Sequence, residues 1–186
     1  MKDKIEREGI ILRRFRSEDM ENFWVLSYGR TNLEWLNWNG PYFNDPIYTK
    51  EEFMKKIVPR YIHSEKRYAI EVAGEVIGEI SWYYEDKKLE RWLEIGLAIF
   101  DNAEWGQGYG SRALKLWIDY LFNEVTDLPH IGLTTWSGNE RMLKVAQKVG
   151  LKEEGCIRKV RYWQEKYWDS MKFGVLREEW RITPYD

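Results

Sequence analysis

The 186-residue chain contains one cysteine, Cys156, and two widely separated histidines, His63 and His130. A single thiol cannot close an internal disulfide, and two distant imidazoles form no recognisable metal-ligand cluster. The composition therefore points away from a disulfide scaffold and from a structural metal, and toward a reducing cytoplasmic setting. No run of about eighteen apolar residues is present to span a bilayer, and the opening MKDKIEREGIILRRF lacks the apolar stretch of a secretory signal. Neither charge is in excess: 29 Lys and Arg against 31 Asp and Glu leave a formal net charge of −2. Net electrostatics would not hold such a chain on nucleic acid or on an anionic membrane, so any anionic ligand has to be met locally.

What is present suits one globular domain over residues 1–186, with 44% hydrophobic and 32% charged residues and enough length to bury a continuous core. Aromatics are abundant, at eleven Trp, twelve Tyr and seven Phe, and are expected mainly in packing, with some left to line a pocket. Gly9–Arg16 reads as a strand, and Ser17-Glu-Asp as the capped start of a helix over Met20–Tyr28. Thr31–Asp45 is dense in turn formers and reads as a loop with one helical turn near Leu33–Leu36. Thr49 and Glu52 form a capping-box pair ahead of Phe53, Ile57 and Tyr61 at helical spacing, and Pro59 should kink or end that helix.

Arg67–Val72 and Val76–Tyr83 flank Ala73-Gly74-Glu75 as a hairpin, and Trp92–Phe100 supplies a further strand. After a glycine-rich turn, Leu114, Trp117, Ile118, Leu121 and Phe122 share one face of an amphipathic helix. His130–Trp136 is strand-like, Asn139–Val149 helical with Gly150 as its C-terminal cap, and Leu151–Trp163 with Tyr167–Trp180 a long hairpin. The expected fold is α/β of the α+β kind, a mixed and mostly antiparallel sheet of about seven strands with helices on both faces.

The turn before the long helix, WGQGYG at residues 105–110, carries the strongest chemical signal. Glycine lets a ligand approach the main chain, and the free N–H groups that open a helix make an anion site without net positive charge. A Walker A loop is excluded because Gly110 is followed by Ser-Arg rather than Lys-Ser/Thr. A dinucleotide fingerprint is excluded because Asp127 precedes the next strand instead of ending it. A tight structural connection remains the plain alternative, and a phosphate ligand of another kind, such as a nucleotide, is a further one.

The segment resembles the acetyl-CoA motif Q/R-x-x-G-x-G/A of the GNAT N-acetyltransferases. Asn139–Gly155 resembles the same family's second cofactor segment, N-x(8)-K-x-G-F-x-x-x-G. Arg13 and the final hairpin ending at Gly174–Trp180 resemble the branch related to ribosomal-protein N-terminal acetyltransferases. The resemblance implies a sheet with two central strands splayed, and acetyl-CoA as cosubstrate. It places the pyrophosphate on the main chain of Gly106, Gln107, Gly108, Tyr109, Gly110 and Ser111, with Trp105 standing where many members have Gln or Arg. It places the pantetheine arm along Leu97, Ala98 and Ile99, touched by Asn139, which also suits a helix cap.

Acyl transfer to an amine requires a neutral nucleophile, yet amines with pKa values of about 7.7–10.4 are mostly protonated at pH 7, so a base is needed. The resemblance offers Glu94 first for this task, with an exposed surface carboxylate or a pair with Arg91 as its alternative; Glu79 on the neighbouring strand is the second candidate, while His130 reads as a surface or packing residue. A main-chain N–H near Leu97 or Ala98 would stabilise the oxyanion. Ala146 and Met142 stand where relatives have the Tyr and Ser that protonate the thiolate, leaving Tyr109, Tyr162 or water. Trp35, Trp38, Tyr42 and Phe43 fall where the family builds its acceptor wall. The implied activity is acetyl transfer to a peptide α-amine or a small-molecule amine by direct attack in a ternary complex, by a monomer or homodimer; a non-catalytic acyl-CoA sensor is the alternative.

Overall fold

The computed structural model describes residues 1–185. Eight strands form one sheet in the order β1-β2-β3-β4-β5-β6-β8-β7: β1 Lys4–Arg7, β2 Ile10–Arg14, β3 Arg67–Val72, β4 Glu75–Tyr84, β5 Leu93–Ile99, β6 His130–Trp136, β7 Lys152–Trp163 and β8 Lys166–Leu176. The eighth strand, beyond the seven expected, is β1. It pairs with β2 across Glu8-Gly9, both at positive φ, which is the two-residue turn whose twist matches a hairpin. Ala73-Gly74 joins β3 to β4 with positive φ at both positions, as the Gly-containing spacing predicts.

Neighbouring strands are antiparallel except β5 and β6. These two run parallel and share a register only at Leu93/Ile131 and Glu94/Gly132. Beyond that point β5 continues to Ile99 beside β4 and β6 continues to Trp136 beside β8, so a wedge opens between them.

Helices cover both faces. On one lie α4 (Tyr109–Glu124) and α5 (Glu140–Val149), packed with Leu12, Ile80, Leu93, Ile95 and Phe173 of the sheet. On the other lie α1 (Asp19–Trp24), α2 (Lys50–Glu52) and α3 (Val58–Ile62), enclosing Phe15, Phe23, Phe53, Ala69 and Phe100. α1 runs on as a wide π-turn over Val25–Gly29. The Thr49 and Glu52 pair makes its capping box at α2. A second π-turn, Phe53–Ile57, precedes Pro59 in the first turn of α3; widening there accommodates a residue that has no N–H and crowds the carbonyl four positions back.

α4 departs from a one-faced amphipathic helix. It is buried almost all round, Asp119 included, because the chain after β8 folds back across it. Arg177 donates to the carbonyls of Phe122, Val125 and Leu128, satisfying acceptors at the end of the helix. The Trp180 indole and the Thr183 N–H donate to Asp119. β8 therefore ends at Leu176 rather than running on to Trp180.

Candidate active site

The turn ahead of α4 is shaped by glycine. Gly106 and Gly108 lie at φ +81° and +80°, where an L side chain would be strained. Gly108 caps α4 in the left-handed region. The first amide to close the ladder is that of Arg112, on the Gly108 carbonyl at 3.1 Å. The N–H groups of Tyr109, Gly110 and Ser111 therefore open the helix without an intrahelical partner. Arg112 also donates to the Glu8 carbonyl at 2.6 Å, which ties the β1–β2 hairpin to the turn.

Trp105 has a structural task. Its indole N–H donates to the Ile99 carbonyl at 2.9 Å, fixing the turn to the end of β5, and its ring carries the Arg141 guanidinium, which also lies over Trp38. A cavity of about 610 Å³ opens at this point. Its lining takes Leu97, Ala98 and Ile99 from β5, Trp105, Gly106, Gly108, Tyr109, Gly110 and Ser111 from the turn, and Asn139, Arg141, Lys144 and Lys148 from α5. Of the predicted cofactor residues only Gln107 is not in that lining; it sits exposed at the turn, its carbonyl facing Arg112.

The wedge exposes main-chain groups of β5. Phe100 donates to the Ile77 carbonyl. Because antiparallel bonding alternates, Ala98 faces β4 and the N–H and C=O of Leu97 and Ile99 face away from β4, into the wedge. The Ile99 carbonyl meets Trp105 there. Between the two positions named for an oxyanion donor, the geometry directs Leu97 toward the opening.

The two carboxylates differ sharply. Glu94 is 1% exposed and its oxygens are engaged by the Trp92 indole at 3.1 Å and the Thr134 hydroxyl at 2.6 Å, with Lys172 at 3.6 Å. Glu79 stands opposite Ala98 in the β4–β5 register, on the same face of the sheet. One of its oxygens accepts from Arg67 at 2.6 Å, and the other, Oε2, is buried with no hydrogen-bond partner. An oxygen without a partner in a buried site is poised to take a proton or to meet a donor on a ligand.

That carboxylate faces a second cavity of about 210 Å³, which shares Trp35, Asn39 and Ala98 with the first. Burial, with Glu79, Tyr48 and Asp45 nearby, pushes the Tyr28 hydroxyl up to about 12. Burial and then Glu79 raise Tyr61 well above the ordinary phenol value. A third cavity of about 420 Å³ lies in the wedge against Tyr42, Phe43, Thr134, Arg161 and Lys172. Asn39 borders all three, a convergence that no motif in the sequence announces.

The other predicted residues divide by environment. Trp35 is largely core, its indole donating to the Ser27 carbonyl, with one flank on the first two cavities. Trp38 separates the first cavity from the third, and its carbonyl accepts from Trp136 and from Asn139. Asn139 caps α5 through the Met142 N–H at 3.0 Å, so one amide holds both the helix start and the loop. Tyr42 and Phe43 pack against each other with their rings tilted by 57° and border the third cavity. Ala146 is buried, Met142 borders the first and third cavities, Tyr109 the first, and Tyr162 is exposed on the β7–β8 hairpin. His130 pairs with Glu154 at 2.8 Å.

An opened parallel pair with the free amides of a helix start at its mouth is the arrangement expected of an acyl-transfer class of site. Residues 10–152 match the family model described as an acetyltransferase (GNAT) domain. The chain belongs to the GNAT acetyltransferase family, and it is an acetyltransferase. It is 29% identical over 146 residues to YkkB of Bacillus subtilis (strain 168), covering 78% of this chain and 75% of that one. A GNAT-family acetyltransferase from Bacillus anthracis superposes with a TM-score of 0.75 at 23% identity, covering 95% of this chain and 99% of the other. The spermidine N-acetyltransferase of Vibrio cholerae, solved with CoA and spermine, superposes at 0.73 and 20% identity, covering 93% and 98%. At these identities the superpositions establish the fold.

Proposed function

We propose that the chain transfers the acetyl group of acetyl-CoA to a primary amine by direct attack within a ternary complex. The observation that carries this reading is the continuity of three features: free amides at the start of α4, the β5–β6 wedge, and the unpartnered Glu79 oxygen across Ala98 from it. The diphosphate would lie on the amides of Gln107 to Ser111, with Arg141, Lys144 and Lys148 nearby as counter-charges. The pantetheine arm would follow the outward main chain of Leu97 and Ile99, with Asn139 and Trp105 holding the walls. The Leu97 N–H is placed to receive the thioester oxygen as it gains charge.

Of the two carboxylates, the reading assigns the base role to Glu79, because Glu94 is spent on Thr134, Trp92 and Lys172. Glu79 would take the proton of the incoming ammonium, directly or through one water. The nitrogen then forms its bond to the acetyl carbon as the carbon–sulfur bond breaks, the second proton it loses on becoming an amide passes to water, and the thiolate takes a proton from Tyr109 or water. Ala146 is buried and carries no hydroxyl, so the proton for the thiolate would not come from that position.

A screen of primary amines that follows released thiol tests this reading. Glu79→Gln is expected to lower kcat by about 10²–10³ while acetyl-CoA still binds. Unchanged turnover in that variant would reject Glu79 as the base, and binding of acetyl-CoA without turnover of any primary amine would reject the proposed reaction. In competition calorimetry, acetyl-CoA and CoA should bind and ATP should not.

A further inference from the structure

The cavity beside Glu79 has an unusual lining. The rings of Tyr28, Tyr48, Tyr61 and Trp35 border it, Asp45 and Glu79 are the acidic residues of its lining, and among the described residues no lysine or arginine lines it. The nearest guanidinium, Arg67, stands behind Glu79, bonded to its Oε1 and laid on the Tyr61 ring. Asp45 forms no ion pair among the described residues. Aromatic faces and carboxylates both favour a cation, and both oppose an anion brought into the same space.

Resting on the acetyltransferase reading, we propose that this cavity is the acceptor pocket and that it selects small aliphatic or arylalkyl amines whose nitrogen-bearing carbon carries no carboxylate, over amino acids and peptide N-termini. The sign of the lining carries the first half. An α-amino acid would place its carboxylate within a bond or two of the nitrogen, against Glu79 and Asp45, with no cation on the cavity wall to receive it.

Size and chemistry carry the second half. A cavity of roughly 150 Å³ holds a benzene ring, so the volume of about 210 Å³ has room for one ring or a short chain with its amine. A peptide would bring successive amide groups against ring faces that cannot satisfy them. The amine enters as an ammonium held by the rings and Asp45, and Glu79 receives its proton where the cavity meets the wedge at Ala98.

The test is steady-state kinetics on the full chain, by thiol release, with phenethylamine, phenylalanine, phenylalanine amide and a tripeptide beginning in phenylalanine. The expected kcat/KM for phenethylamine exceeds that for phenylalanine and for the tripeptide by at least 100-fold, with the amide between. Asp45→Asn should shrink the phenethylamine-to-phenylalanine ratio about tenfold while the KM for acetyl-CoA stays within twofold. Turnover of phenylalanine or the tripeptide within tenfold of phenethylamine overturns the proposal. So does a ratio unmoved by Asp45→Asn, or phenylalanine turnover that Arg161→Gln abolishes, which would seat the acceptor in the neighbouring cavity. If none of these four amines turns over while another primary amine in the screen does, the acceptor proposal falls alone; if no amine turns over at all, or acetyl-CoA does not bind, the reading beneath it falls as well.

Discussion

Glu79 and Glu94 lie on one face of adjacent strands, and the difference between them comes from partners distant in the chain. Lys172 of β8 and Thr134 of β6 close over Glu94, whereas Glu79 takes a hydrogen bond from Arg67 on one oxygen, beside the Tyr61 hydroxyl. The same logic governs Arg13, which was legible in the sequence only through its resemblance to a family position. Its guanidinium, 7% exposed, holds Asp19, 9% exposed, at 2.7 Å, and also bonds Glu71. Burial pushes the Asp19 carboxyl up, but the Arg13 guanidinium and the Arg16 amide outweigh it and hold it below the usual carboxylate range. A carboxylate lowered on folding contributes stability above its unfolded value of about 3.9, and that contribution fades as pH falls through the lower folded value. Asp19→Asn is expected to destabilise the protein by about 3 kcal/mol at pH 7, and the gap from the parent should close below about pH 4. Urea denaturation at a series of pH values measures both.

At the scale of elements, the wedge depends on β4 and β5 staying close while β5 and β6 part. Gly78 permits this approach: a Cβ placed there would lie 2.2 Å from the Ala98 carbonyl oxygen, a main-chain atom that cannot swing aside. Gly78→Ala should therefore cost about 1–3 kcal/mol. Because the strain falls beside the Glu79–Ala98 pair, it should lower kcat more than it raises the KM for acetyl-CoA. Denaturation midpoints and steady-state kinetics on one preparation test the two effects together. The π-turns in α1 and before α3 were not legible, since hydrophobic spacing averages over such local widening; Pro59 was the only sign of the second.

Across the whole molecule, Asp119 is the junction. It is fully buried and takes Arg7 from β1 at 2.5 Å, the Trp180 indole at 2.6 Å and the Thr183 N–H at 3.2 Å, binding both ends of the chain to α4. Replacing it as Asp119→Asn leaves Arg7 without its counter-charge and should cost about 3–5 kcal/mol, with protease cleavage after residue 176 appearing before global unfolding. The cofactor reading makes a second prediction at this scale. Acetyl-CoA at about 100 times its Kd should add about 2.7 kcal/mol, a rise in Tm of roughly 5–10 °C for a chain of this length. Differential scanning with and without the ligand measures it, and no shift would count against binding at the α4 turn.

The sequence by itself determined the turn at 105–111, the Thr49–Glu52 capping box, the β3–β4 and β7–β8 hairpins and the two-faced packing, because each rests on residue type and short spacing: glycine where φ is positive, Thr and Glu three apart, apolar residues in register. The cap expected at Ser17 does not form, Glu18 standing at the start of α1 without a side-chain cap. Only the tertiary structure decided which carboxylate keeps an unpartnered oxygen, how the tail seals α4, and that Asp45, Tyr28, Tyr48 and Tyr61 meet Glu79 around one cavity. Those residues come from three separate segments. Burial, charge compensation and cavity shape are properties of side chains brought together across the fold, and no local pattern along the chain encodes them.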